Sequence, residues 1–378
     1  MRRFILLGAV ATILGGCATM ETPSGGARPA LGADEGRALV RGLLPERVAD
    51  RSGWATDIYA ALAALDIAPT TENACAAIAV AEQESGLRVD PPVPGLSRIA
   101  RAELEARRER ARIPKLVVDA ALALTSSNGK TYGERLDAVT TEGQLSELYE
   151  DMIARVPFGP TLFADRNPIR TGGPMQAGVA FAEAQIEARP YPYPLTSTVR
   201  REVFTRRGGL YFGIAHLLDY SAPYDSYRYR FADYNAGRYA SRNAAFQAAL
   251  TQVSGIPLVR DGDLLRYDAG KPTGEAGATE RAARVVAPRL GLTAADVRRD
   301  LEHGGREDFV ETALYERVFA QADALARGRA PRAIVPTIEL SSPKITRKLT
   351  TAWFAERVES RFHSCLGRSA HRATRAPS

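Results

Sequence analysis

Residue types that carry much of enzyme chemistry are scarce in this chain of 378 residues, which has three cysteines, four histidines, four methionines and two tryptophans. The histidines are not spaced with one another or with cysteine as metal ligands are, so we expect no metal site and no other cofactor. His216 lies in an apolar stretch and is expected to be a packed side chain. The chain also lacks a Walker loop, a GxGxxG fingerprint and a GxSxG elbow, which argues against the nucleotide-binding and hydrolase classes that use them.

Strand-like alternation and internal repeats are scarce as well. No period of about 20–50 residues recurs, whereas stretches rich in Ala, Leu, Arg and Glu with a helical period are common. The composition, 45% hydrophobic and 25% charged, is typical of a globular protein with one large or two smaller domains. We therefore predict an all-α, or mostly α, fold. Two of its helices are expected over residues 175–188 and over 198–220, the second interrupted at Gly208 and Gly209.

Residues 1–16 have the pattern of a signal peptide. Two arginines precede an apolar run over residues 4–14, which is too short to span a bilayer comfortably. The run ends in the sequence LGGC, which resembles a bacterial lipobox and implies that Cys17 is lipidated. The alternative is an ordinary secretory signal in which Cys17 is incidental.

The residues around Cys17 indicate where in the cell the protein is expected. Ala18 follows it, which resembles the outer-membrane-directed pattern of Gram-negative lipoproteins. Residues 17–35, rich in Gly, Pro, Thr and Ala, are interpreted as a flexible tether. We expect a protein anchored by lipid, most simply in the outer membrane and facing the periplasm. Its formal net charge of +6 favours an anionic polymer or lipid headgroups as partner, or reflects a solvated basic tail, and we expect no nucleic-acid partner.

The other two cysteines, Cys75 and Cys365, remain as a pair in an oxidising compartment if Cys17 carries lipid. A disulfide between them would tie the C-terminal segment to the helix that contains residues 74–84. Two separate buried thiols are the alternative.

Glu84 is the first candidate for chemistry, because it ends an apolar helix that Gly86 stops. An isolated ionised carboxylate in such a place is costly. Burial and the negative pole of the helix C-terminus are both expected to raise the pKa of Glu84. A glutamic acid that keeps its proton near neutral pH suits general acid catalysis. A partly exposed glutamate without a function is the alternative.

Three short motifs occur in order: QES at residues 83–85, GPMQ at 173–176, where a helix is expected to begin, and DYNAG at 233–237. Together they resemble the motifs of the soluble lytic transglycosylases, which implies a lysozyme-like fold. Two positions depart from the family pattern, Pro174 in place of Leu and Asp233 in place of Ala. The resemblance implies a catalytic domain over residues 36–255, with a helical insertion over about 97–160. A C-terminal helical region over 256–378 would pack on this core.

The resemblance also assigns roles to single residues. Glu84 would act as the only catalytic acid and then as the base, and Tyr234 would orient it with a phenolic hydrogen bond. The remaining supporting residues, expected to contact the sugar or line the cleft, are Ser85, Met175, Gln176 and Asn235.

These roles imply a peptidoglycan lytic transglycosylase. Such an enzyme cleaves the β-1,4 bond between N-acetylmuramic acid and N-acetylglucosamine and leaves a 1,6-anhydro ring, with no second carboxylate. One alternative is a hydrolytic muramidase on the same fold, in which Asp90 or Asp233 would activate water. Another is a non-catalytic, lipid-anchored envelope protein that binds peptidoglycan.

Overall fold

The computed structural model describes residues 32–268, 270–340 and 348–373. The predicted signal peptide, the predicted lipidation site Cys17 and most of the predicted tether lie outside these residues. The described chain is mostly helical, with short antiparallel hairpins of two residues a strand. The prediction of an all-α class is therefore confirmed at this level.

Three groups of elements each enclose a hydrophobic core. The largest group, which we call the central core, contains eight helices and one hairpin. Its elements are α1 (Ala33–Leu43), α2 (Arg51–Ala64), α3 (Thr71–Ser85), β1 (Thr171–Gly172), β2 (Ala177–Gly178), α9 (Val179–Ala188), α10 (Val199–Val203), α11 (Arg206–Leu218), α12 (Tyr227–Ala236) and α17 (Thr351–Ala373).

A smaller bundle lies between α3 and β1 in the sequence and has its own core. It consists of α4 (Leu96–Arg110), α5 (Lys115–Ala123), α6 (Tyr132–Ala138), α7 (Glu142–Ala154) and α8 (Gly159–Phe163). We call it the small bundle.

The third group packs around Phe246, Phe309 and Phe319. It contains α13 (Ala240–Ser254), β3 (Tyr267–Asp268), β4 (Lys271–Pro272), α14 (Ala278–Val286), α15 (Ala294–Leu301) and α16 (Ala313–Ala326). A last hairpin, β5 (Glu339–Leu340) with β6 (Leu349–Thr350), leads into α17.

Helix α3 lies inside the central core. Thr70 caps its start by accepting a hydrogen bond from the Asn73 amide (3.2 Å), and Gly86 ends it with a φ of 63°. Residues 74–81 are completely buried, as expected for a helix that is apolar on all sides. The long helix α17 packs along α3, and a disulfide joins Cys75 to Cys365. Of the two alternatives for these cysteines, the structure has the disulfide.

The predicted helix over residues 175–188 begins later than expected. Residues 173–176 form the turn between β1 and β2, and α9 starts at Val179. The turn requires a φ of 73° at Gly173, where a Cβ atom would stand 2.1 Å from the Val203 carbonyl oxygen. The sequence interpretation missed this hairpin because its strands have only two residues each.

The predicted interruption at Gly208 and Gly209 was also wrong. The break between α10 and α11 comes earlier, where Thr205 caps α11 by accepting a hydrogen bond from the Gly208 amide (3.0 Å). Gly209 lies inside α11, where it leaves room for Pro174 of the hairpin turn. The glycine pair therefore permits close packing and does not stop the helix.

Candidate functional site

The C-terminal end of α3 presents Glu84 at the edge of the central core, where the glutamate is partly exposed. The next residue, Ser85, is buried and its hydroxyl serves the backbone. It donates a hydrogen bond to the Ala81 carbonyl (2.8 Å) and accepts one from the Arg88 amide (3.2 Å). Ser85 therefore stabilises the end of the helix, although a contact with substrate was predicted for it.

Tyr234, in α12, lies close enough to Glu84 for the two groups to interact electrostatically. Burial raises the pKa of the Tyr234 hydroxyl well above its ordinary value, and the negative charge of Glu84 raises it further. The hydroxyl donates its hydrogen bond to the Met175 carbonyl oxygen at 2.6 Å. Tyr234 thus stays protonated beside Glu84, but the predicted hydrogen bond to the carboxyl group goes instead to the hairpin turn.

The turn between β1 and β2 contains Met175 and Gln176 and contacts Tyr234 through the Met175 carbonyl group. Met175 is completely buried, and a Cβ atom on Gly213 would stand 2.6 Å from its sulfur. Its side chain therefore packs into the core, and its carbonyl group is the part that faces Tyr234. Gln176 is partly exposed and adopts a left-handed φ of 52°, which is costly for a residue with a side chain.

Hydrogen bonds hold the amides of Gln176 and Asn235 in place. Thr171 donates a hydrogen bond from its hydroxyl to the Gln176 side-chain oxygen (3.1 Å). The buried Thr351, at the start of α17, donates to the side-chain oxygen of Asn235 (3.0 Å). In both cases the side-chain oxygen is engaged, so the amide nitrogen is the atom of the side chain that could donate to a ligand. The strained backbone of Gln176 makes it the stronger binding candidate.

Asp233 faces away from this site. It is buried, and its carboxyl group accepts hydrogen bonds from the Tyr224 hydroxyl (2.7 Å), the Tyr239 amide (3.0 Å) and the Ser241 amide (2.6 Å). Burial raises the pKa of Asp233, and the hydrogen bonds from Tyr224 and Ser241 oppose that rise. The carboxyl group caps the start of α13, which uses the oxygens that a catalytic base would need.

Asp90, the other candidate for a second acid, is also held by the backbone. One of its oxygens accepts a hydrogen bond from the Gly143 amide (3.3 Å) in the first turn of α7. Asp90 thus anchors the small bundle to the segment that follows α3. The structure gives both candidate acids structural roles.

His216, which was expected to be a packed side chain, lies next to this site. Its ring lies between Phe181 (4.9 Å between ring centres) and Tyr234 (5.1 Å). Burial, and then the charge of Arg238, lower the pKa of His216 to about 4. Its Nδ1 atom is buried and has no hydrogen-bond partner among the residues that the structure describes. A neutral imidazole therefore supports Tyr234 from behind, a role that its position in the sequence does not indicate.

Two further properties bear on the class of site. Within the described ranges, no group of three His, Cys, Asp or Glu side chains is arranged to hold a metal ion. The same part of the chain contains no helix that is both long and apolar enough to cross a membrane.

Comparison with known proteins corrects the predicted family. The family that matches, over residues 47–368, carries the description "Protein of unknown function (DUF1615)". The chain is also similar to the "Uncharacterized protein YaiW" of Escherichia coli (strain K12), with 51% identity over 328 residues, which cover 87% of this chain and 88% of that protein. No solved structure matches.

The resemblance to the soluble lytic transglycosylases was wrong as an assignment of family. Nothing in the comparisons indicates a lysozyme-like domain, and the matching family includes all three motifs on which the resemblance was based. Motifs of three to five small and polar residues recur by chance at helix ends and turns, which is where α3, the hairpin and α12 place them. The match over most of its length shows that the chain belongs to the DUF1615 family.

Proposed function

We propose that this protein is a lipid-anchored envelope enzyme that cleaves peptidoglycan strands, with Glu84 as its single acid and base. One observation carries the proposal. Glu84 ends a helix whose residues 74–81 are completely buried, and it lies close enough to Tyr234 for its charge to raise the pKa of the hydroxyl. The proposal concerns the chemistry of this site and does not require a lysozyme-like fold.

The proposed reaction uses one carboxyl group twice. Glu84 gives its proton to the oxygen between N-acetylmuramic acid and N-acetylglucosamine, and the bond from that oxygen to the muramyl C1 breaks. Glu84, now a carboxylate, takes the proton of the muramyl 6-hydroxyl, whose oxygen bonds to C1 and closes the 1,6-anhydro ring. Because the reaction needs no second carboxylate, the engagement of Asp90 and Asp233 by backbone amides is compatible with it.

The neighbours of Glu84 have supporting parts in this proposal. Tyr234 keeps its proton and presents an uncharged polar wall beside the carboxyl group. Its hydrogen bond to Met175 holds the hairpin turn against α12. Gln176 and Asn235 offer amide nitrogens, which suit the carbonyl of an N-acetyl group. A hydrogen bond holds each of three groups in place, as a preorganised site requires: the Tyr234 hydroxyl, the Gln176 amide and the Asn235 amide.

A non-catalytic peptidoglycan-binding protein is the second candidate. Two observations favour it: the Ser85 hydroxyl is engaged by the backbone, and the Met175 side chain is completely buried. Both residues would be expected to face an open cleft in an enzyme built on these motifs. Under this candidate, Gln176 and Asn235 would bind a glycan strand and Glu84 would have no reaction to perform.

Digestion of purified sacculi tests the proposal. Mass spectrometry of the soluble products should find anhydromuramic ends with the wild type and none with Glu84→Gln. Glu82→Gln is the matched control, since Glu82 lies on the same helix end, and its ion pair with Arg47 accounts for its position. Incorporation of oxygen from labelled water would indicate hydrolysis instead. Sacculus binding that survives Glu84→Ala, without soluble products from the wild type, would establish the non-catalytic candidate.

The proposed anchor has a separate test. Cys17→Ser should move the protein from the membrane fraction to the soluble periplasmic fraction when it is exported with a cleavable signal. Mass spectrometry of the N-terminal peptide of the wild type should show acyl groups on Cys17. An unmodified cysteine in the mature wild-type protein would rule out lipid anchoring at this residue.

A further inference from the structure

The small bundle contains a cavity of about 530 Å³ between α4, α6 and α7. Most of its wall is aliphatic, and this part is formed by Leu96, Leu104, Leu122, Leu145, Leu148 and Met152. A volume of this size, with apolar walls and a few polar groups, is typical of sites for small organic ligands, which span roughly 300–1,000 Å³. The cavity is distinct from the proposed glycan site, although Thr171, which holds Gln176, is also part of its wall.

Arginines mark the place where the cavity opens to solvent. Arg107 and Arg170 line it and are exposed. Arg166 lies 5.5 Å from the ring of Phe163, whose carbonyl oxygen accepts a hydrogen bond from the Tyr149 hydroxyl (2.9 Å). Tyr149 itself lines the cavity. Cationic groups are thus concentrated around one hydroxyl at the end of an apolar chamber.

A fourth arginine approaches from the central core, since Arg200 donates a hydrogen bond to the carbonyl oxygen of Ile169 (2.6 Å), which also lines the cavity. Burial raises the pKa of Tyr149, and the charges of Arg166, Arg107, Arg170 and Arg200 oppose that rise. The electrostatic field at the hydroxyl is therefore shaped by four guanidinium groups.

Acidic groups share this region. Glu103 lines the cavity and pairs with Arg107 at 2.7 Å, and Glu142 lines it as a buried side chain. Burial lowers the pKa of Arg200, and three nearby carboxylates oppose that shift: Glu150, Glu183 and Asp165. A ligand with a negative group would share Arg107 with Glu103, whereas Arg170 extends from the cavity wall into solvent.

We infer that this cavity binds an acyl chain with an anionic head group. The chain would occupy the aliphatic chamber, and the head group would contact Arg170, Arg107 and the Tyr149 hydroxyl. The apolar wall excludes a sugar as occupant, because its hydroxyl groups would lose their hydrogen bonds to water. The cationic opening selects an acid over a neutral alcohol of the same length.

Competition against a fluorescent fatty acid tests this inference on the full chain carrying Cys17→Ser, so that no attached lipid can compete. Palmitate should displace the probe from one site per chain. Hexadecanol, which has the chain without the charge, should bind about tenfold more weakly, and inorganic phosphate should not displace the probe. Absence of palmitate binding, or equal binding of hexadecanol, would overturn the inference.

Variants locate the site. Ala100→Phe places a ring in the cavity wall and should abolish binding, and Leu104→Trp provides a second filling variant if the first does not fold. Arg170→Ala should weaken palmitate binding about tenfold, and Arg170→Lys should recover most of it. Arg112→Ala is the matched control, because Arg112 is an exposed arginine of the same bundle that is not part of the cavity wall. Wild-type binding by both filling variants would place the ligand elsewhere and overturn the inference.

Membrane docking is the competing explanation, because the same bundle exposes Leu116 and Phe158, each 79% accessible. Vesicles of phosphatidylglycerol distinguish the two. Vesicle binding that is unchanged by Ala100→Phe, together with no binding of free palmitate, would replace the cavity by a surface contact. Loss of palmitate binding in the filling variants supports the cavity whatever the vesicles show.

Discussion

The hydroxyl of Tyr234 lies 2.6 Å from the carbonyl oxygen of Met175 and joins α12 to the turn between β1 and β2. The two residues are separated by 59 positions in the chain. The contact fixes the hairpin that carries Gln176 against the helix that carries Asn235. It therefore assembles the candidate site from segments that are remote in sequence.

Tyr234→Phe tests this contact. We expect it to lower the free energy of unfolding by about 1–3 kcal/mol, because the Met175 carbonyl loses its partner in a buried place. We also expect it to reduce any release of anhydromuropeptides, since the hairpin would no longer be held. Denaturant unfolding and the sacculus assay measure the two effects.

Tyr227→Phe is the matched control for that variant. Tyr227 is on the same helix and donates a hydrogen bond to the Asn73 side-chain oxygen at 2.7 Å, away from Glu84. We expect a similar loss of stability and unchanged activity. Equal losses of activity in both variants would mean that Tyr234 contributes to folding alone.

Removal of the disulfide should destabilise the protein. The bond between Cys75 and Cys365 links residues 290 positions apart, so it restricts the unfolded chain strongly. We expect Cys75→Ala combined with Cys365→Ala to cost about 2–5 kcal/mol. The Tm of the wild type should be lower in the presence of a reductant, whereas the Tm of the double variant should be the same with and without it. A wild type with the same Tm with and without reductant would contradict the expectation.

His216 should make stability depend on pH. Its pKa is about 4 in the folded protein and 6.5 in an unfolded chain, so the unfolded state binds more protons between these values. The contribution of neutral His216 is complete above pH 6.5 and is lost as the pH falls towards 4, to a total of about 3 kcal/mol. The measurement is the free energy of unfolding from pH 7 to pH 4 for the wild type and for His216→Gln.

His303→Gln is the control for this pH effect. His303 is partly exposed and its Nδ1 atom lies 2.9 Å from Asp308, so it lacks the deep burial of His216. We expect the steep acid dependence to persist in His303→Gln and to flatten in His216→Gln. The same profile in the His216 variant and the wild type would refute the assignment.

Two glycines should respond oppositely to alanine. A Cβ atom on Gly213 would stand 2.5 Å from the Met175 Cβ, so Gly213→Ala should cost about 1–3 kcal/mol by overpacking. Gly367, in α17, has open space around that position, and Gly367→Ala should stabilise the helix by about 0.5–1 kcal/mol. Thermal unfolding of the two variants checks the signs, and the same sign in both would contradict the packing of α11 on the hairpin.

Helix α3 and the disulfide could be predicted from the sequence, because their causes are local or compositional. Thr70 before the apolar run and Gly86 after it mark the ends of α3, and both act as expected. For Cys75 and Cys365 the disulfide was one of two alternatives, which arose because Cys17 has another expected use. In both cases the residue types at known positions in the sequence indicated the feature that the structure has.

The hairpin and the partner of Tyr234 could not be predicted in the same way. A turn such as that at Gly173 is set by the approach of α10, whose Val203 carbonyl leaves no room for a side chain. The Met175 carbonyl is a main-chain group that every residue possesses, so no sequence pattern distinguishes it as the acceptor for Tyr234. The three short motifs could therefore be found in the sequence, but the contacts that determine the roles of their residues could not.

The bond between α3 and α17 sets an order of assembly. The part of α3 that packs on α17 can be covered only after the chain has been synthesised as far as α17, and the disulfide forms only when the thiols of Cys75 and Cys365 are oxidised. The covalent link between α3 and α17 is therefore completed late, and only in a compartment that permits disulfides. A protein built in this way lacks its link between the first third of the chain and the last helix wherever thiols are kept reduced.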